Sequence, residues 1–131
     1  MEVERIEAIR DALEGALDEL TTAGFLAKGD FRCCNSCGHF GMKSLANGLK
    51  ADGSPPKGYV FWHKQDDDSL EEHGVFYVRF AGNRVLQYPE AIPDEDVART
   101  AVRVLESHGL KTDWNGDACD AIRVDCSRIT Y

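Results

Sequence analysis

No run of about 18 apolar residues occurs in the chain, so nothing in it reads as a membrane-spanning helix. The start, MEVERIEAIRDALEG, has neither the basic residues nor the apolar run of a secretory signal. The cytoplasm is therefore the expected compartment. There is no G-x-G-x-x-G, no P-loop, no H-E-x-x-H and no nucleophile elbow, so no familiar catalytic motif announces an enzyme. Internal repeats and low-complexity segments are missing too. Basic residues are scarce: 15 Lys and Arg stand against 23 Asp and Glu, for a net charge of −8. Such a surface repels phosphate backbones, and nucleic acid is not an expected partner. Cysteine is present in an odd number, five, so at least one thiol cannot pair within the chain. Free thiols or metal ligation then fit better than a disulfide framework.

What is present fits a single domain over residues 1–131. The composition is 43% hydrophobic and 29% charged, ordinary for one core. Val3, Ile6, Ile9, Leu13, Ala16, Leu17 and Leu20 recur at spacings of three and four, which predicts an amphipathic helix ended at Gly24. Phe25 to Arg32 reads as a link with room for a short strand. HFGMKSLANGLK predicts a weak helix, interrupted by Gly41 and Gly48. GYVFWH (58–63) and VFYVRF (75–80) are strands by composition, apolar on both faces and therefore central. The polar stretch between them is long for a hairpin. It has capping-box spacing at Ser69 and Glu72. Arg84 to Tyr88 is expected to be a third strand. Pro93 and Asp94 open a second clear helix that ends near His108-Gly109. Leu110–Trp114 and Ala121–Cys126 predict a last strand pair around Asn115-Gly116. The fold class is α+β: a mostly antiparallel sheet of four to five strands with two main helices on one side.

The acidic residues cluster. Seven fall in residues 2–22 against only Arg5 and Arg10, and Asp66, Asp67, Asp68, Glu71 and Glu72 follow one another without a base. Solvated helix and loop surface explains them, and so does a docking face for a basic protein partner. The run Asp66-Asp67-Asp68 is a candidate binding site, although it lacks the register of a calcium loop.

The chemistry concentrates in FRCCNSCGHF (31–40). Cys34 and Cys37 have C-x-x-C spacing followed by Gly38, as in a zinc knuckle. No second C-x-x-C completes it. His63, at the end of a strand, is the expected third ligand. His39 and Cys33 stand in reserve, the latter because adjacent side chains usually diverge. His73, Cys119 and Cys126 are further candidates. The same pair also admits a redox reading, which wants a helix N-terminus and a parallel β-α-β unit. No such unit is visible in the sequence. A third reading makes a cysteine a nucleophile, with His63 as base and Asp66 or Asp67 orienting it. A fourth makes the cysteines small buried hydrophobes.

FRCCNSCGH (31–39), GYVFWHKQD (58–66) and WNG (114–116) with IRV (122–124) together resemble a family of small bacterial proteins of no assigned function. The resemblance implies an α+β protein in which the cysteine cluster and His63 occur together. It brings no activity or substrate, and Cys119 and Cys126 lie outside its motifs. The reading favoured overall is a non-enzymatic binding module with zinc on Cys34, Cys37 and His63. A thiol-dependent redox protein and an acidic interaction protein are the alternatives.

Overall fold

The computed structural model describes residues 3–126. Helix α1 spans Val3–Thr22 and buries Ile9, Leu13, Ala16 and Leu20, the stripe its periodicity predicted. It stops at Gly24, whose φ of +100° suits a residue with no Cβ. Strand β1, Leu26–Lys28, follows at once. Helix α2 (Asn35–Ala51), strand β2 (Tyr59–Phe61), helix α3 (Lys64–His73) and strand β3 (Val75–Ala81) come next. Helix α4 (Asp94–Ser107) and strands β4 (Lys111–Asp113) and β5 (Ile122–Asp125) complete the order.

The five strands form one sheet in the order β1-β2-β3-β5-β4. Three pairings are antiparallel, and β1 runs parallel to β2. The class is α+β with a mostly antiparallel sheet, and both GYVFWH and VFYVRF supply inner strands. The parallel β1–α2–β2 unit was not expected. Its first strand has only three residues, too few to carry a pattern.

Strand alternation sends side chains to two cores. Val60 and Trp62 join Phe76, Val78, Phe80, Ile122 and Val124 beneath α1 and α4. Tyr59 and Phe61 face the other way, against Met42 and Ala46 of α2 and against Leu86 and Tyr88. Helices therefore cover both faces, and there are four of them among the described residues rather than two on one side. Gly41 and Gly48 do not interrupt α2, which runs through both to Ala51. A Cβ on Gly38 would collide with the Phe61 ring, so the glycine lets the helix approach the sheet.

On the second face α2 packs chiefly over β2. Tyr77, Arg123 and Asp113 are paired across β3, β5 and β4, and none of the three joins either core. Tyr77 is 43% exposed there.

Arg84 to Tyr88 is not a strand. The Gly82 and Arg84 amides both donate to Asp94 Oδ1, at 2.8 and 3.2 Å, and the Leu86 amide donates to the Gly82 carbonyl. The acid that begins α4 thus folds this segment into a turn. Leu86 and Tyr88 are apolar because they plug the second core, not because they alternate in a sheet.

Candidate metal centre

The loop before α2 is built on the end of β2. The Phe31 amide donates to the Trp62 carbonyl at 3.0 Å, and the Lys64 amide donates to the Arg32 carbonyl at 2.9 Å. At these anchors Asp30 (φ 48°), just before Phe31, and Arg32 itself (φ 65°) occupy left-handed backbone conformations. For residues with a Cβ this costs roughly 1 kcal/mol each, less for Asp, and it persists only where the surroundings enforce it. The Arg32 guanidinium lies over the Phe31 ring at 5.1 Å, and Phe31 meets the edge of Phe61.

This bent loop delivers Cys33 and Cys34 to the first turn of α2. Cys34 is the N-cap, with extended backbone (φ −155°, ψ 175°), and Cys37 lies one turn in. Cys33 Sγ sits 3.7 Å from Cys34 Sγ, so the neighbours converge instead of diverging. The Sγ atoms of Cys33, Cys34 and Cys37 all lie within 4.8 Å of one another. Cys33 and Cys37 are exposed and Cys34 is partly so, which overturns the expectation that these thiols merely fill the core.

The helix start also differentiates the thiols. No capping hydrogen bond closes on Cys34 Sγ. The backbone N–H of Cys37 is nonetheless the largest influence lowering the Cys34 thiol below its ordinary value, followed by the Cys37 and Cys33 thiols. Cys37 moves oppositely, pushed up to about 11 by its hydrogen bonds to the Cys34 and Cys33 sulfurs and by their charge. The cluster offers one thiol shifted toward the thiolate, with two further sulfurs beside it.

The histidines lie elsewhere. His63 is 3% exposed and is the N-cap of α3. Its Nδ1 accepts from the Asp66 amide at 3.4 Å, its own amide donates to Asp66 Oδ2 at 3.1 Å, and its Nε2 lies 3.3 Å from that oxygen. This is the capping box of the segment, in place of the Ser69–Glu72 pair. Ser69 instead donates to the Val75 carbonyl. His63 and His39 are both outside the three-thiol group. His39 turns inward, with Nδ1 2.6 Å from Tyr59 Oη and its ring edge-on to Phe61. His73 is exposed beside Glu72. Cys126 is buried, its thiol pushed up to about 12 by desolvation, and Cys119 is exposed next to Arg84.

The acidic run is a helix with divided duties. Asp66, 5% exposed, takes the capping box and the guanidinium of Arg79. Asp67 receives a two-pronged contact from Arg10 of α1 at 2.8 and 3.0 Å, and Asp68 faces Lys64 at 3.8 Å. The three carboxylates do not converge on one point, which explains why they form no cation cluster. Glu2 lies outside the described residues. Little in the sequence marks Arg79 as a site residue. Its one signal was a charge inside an otherwise apolar strand.

Burial holds the His63 imidazole below its ordinary 6.5, with Arg79 adding to the effect and Asp66 opposing it. A histidine whose folded value is lowered takes up its proton more easily in the unfolded chain. The stability this implies is fully present above about pH 6.5 and is lost as the pH falls toward the lowered value. Urea titrations across pH 5 to 8 should show that loss. His63→Asn, which keeps a capping side chain, should remove its histidine component.

No helix among the described residues is long and apolar enough to cross a membrane. The molecule is an α+β domain whose distinguishing feature is a solvent-facing group of three thiols at a helix start. The chain belongs to the family described as a domain of unknown function (DUF6891), which matches residues 7–128. No curated protein and no solved structure matches it.

Proposed function

We propose that this is a binding module that holds a soft metal ion, zinc in the first instance, on Cys33, Cys34 and Cys37. The observation that carries the reading is the approach of three sulfurs to within 4.8 Å of one another at an accessible position. Thiolates suit zinc and copper(I), and three of them leave a position for water or an incoming ligand. His63 serves here as a positioning residue. Its capping box begins beside the Lys64 amide that anchors the cysteine loop.

The test is metal content. Protein purified under reducing conditions should carry or take up about one zinc per chain. Cobalt substitution should give a thiolate-to-metal absorption band. Well under one equivalent, with no such band, rejects the proposal.

A second reading has its own support. C-x-x-C here opens the helix of a parallel β-α-β unit, with the first thiol lowered and the second raised. That is the arrangement of a thiol–disulfide exchange pair, in which Cys34 attacks and Cys37 resolves. It requires that iodoacetamide label Cys34 in the metal-free protein faster than it labels Cys119.

A further inference from the structure

The half of the second sheet face that carries Tyr77 and Arg123 is not flat. Two depressions of about 460 and 430 Å³ adjoin there and share Arg79, Asp120 and Ala121. Together they form a groove of the size that holds small ligands. Its floor is β3 and β5, its outer wall is the segment 114–121, and its inner wall is the start of α2, through Asn35 and His39.

The groove gathers arginine in a protein of net charge −8. Arg79, Arg84 and Arg123 all line it. Arg79 is the best placed. Its Nη1 donates to the buried Asp66 carboxylate and to the Tyr77 carbonyl, so its head group is held on the floor while 20% of the side chain stays exposed. Both bonds leave from Nη1, which frees the rest of the fork for a ligand. Burying Asp66 to fix an arginine that faces an open groove resembles the support given to binding arginines.

The walls are as fixed as the floor. The Trp114 indole N–H donates to the Asp117 and Asp120 carbonyls, both at 3.0 Å. The Asn115 amide group donates to Asp120, and the Asp117 carboxylate accepts from the Cys119 amide. On the other side Tyr59 holds the His39 ring. Two of the acids in the groove are already engaged: Asp94 clamps the Gly82 and Arg84 amides, and Asp120 accepts from Asn115. Asp113 remains, exposed at the outer rim.

We propose that this groove binds a small oxyanion, the carboxylate or phosphate group of an organic molecule, on Arg79, Arg84 and Arg123. The thiol cluster takes no part in this site, so either one can fail without the other.

The experiment is a titration of nitrogen-15-labelled protein at constant ionic strength, with inorganic phosphate in one arm and citrate in the other. The Trp114 indole and the arginine Nε–H signals report. Saturable shifts with a Kd near ~1 mM or tighter are expected. Saturation by phosphate alone identifies a phosphate site, by citrate alone a carboxylate site, and by both a general oxyanion site. Arg84→Gln with Arg123→Gln should weaken binding roughly tenfold or more while leaving distant signals unmoved. Arg79→Lys, which keeps the charge and loses the fork, should also weaken it. Shifts that never saturate in either arm, or that persist unchanged in the double variant, overturn the proposal.

Discussion

Replacing Cys37 with serine should lower zinc affinity by roughly 100-fold or more, because one of three thiolate ligands is gone. Competition against a chromophoric chelator measures it. Cys34→Ser should do the same, and so should Cys33→Ser, since its sulfur lies 3.7 Å from that of Cys34. Cys119→Ser, on the far wall of the groove, should leave affinity unchanged. The informative comparison is at His63. Were it a ligand, His63→Ala and His63→Asn would both abolish binding. As a helix cap, asparagine can replace it and alanine cannot. Retention of zinc by His63→Asn therefore supports the three-thiol site, and its loss returns His63 to the metal. Chelation should also lower the melting temperature, since an ion bound only by the folded chain stabilises it by about 2.7 kcal/mol at 100 times its Kd. An unchanged melting temperature would count against the site.

Arg79→Met should destabilise the protein by about 3 kcal/mol in urea unfolding. The arginine is the cation facing Asp66, and Asp66 is 5% exposed. Removing it strands a buried carboxylate, and leaving such a charge uncompensated costs more than the pair contributed. A double variant isolates the cause. Asp66→Asn keeps an oxygen acceptor for the His63 amide but carries no charge. Arg79→Met with Asp66→Asn should therefore recover most of the loss. If the double variant is no more stable than Arg79→Met alone, the loss comes from packing of the arginine stem, and the electrostatic account fails.

Much of the fold could be read from pattern, and the exceptions share one cause. The stripes of α1 and α4 and the alternation of Tyr59-Val60-Phe61 and Val75–Phe80 are dense local signals, and each became the expected element. Helix α3 buries only Asp66 and Leu70, so its sequence looks like a solvated loop. The turn at 82–88 is set by Asp94, about ten residues on. At the site, C-x-x-C spacing marked Cys34 and Cys37 correctly as neighbours. Cys33 joins them through the left-handed backbone of Asp30 and Arg32, imposed by hydrogen bonds to residues 62 and 64. His63 looked available because its partners, Asp66 and Arg79, meet only when α3 docks on β3. In each case the deciding contact is tertiary, and no window of local sequence contains it.

The backbone bonds from Phe31 to Trp62 and from Lys64 to Arg32 carry a consequence for how the chain is made. The three cysteines leave the ribosome about thirty residues before the strand end that shapes their loop. Until then they are three unassembled thiols on a nascent segment, open to oxidation or to any passing metal. The mature protein should face the same exposure in milder form. Strand β1 is a three-residue edge of the sheet, and local opening of the loop that follows it would part Cys33 from Cys34 and Cys37 while the rest of the sheet stays folded.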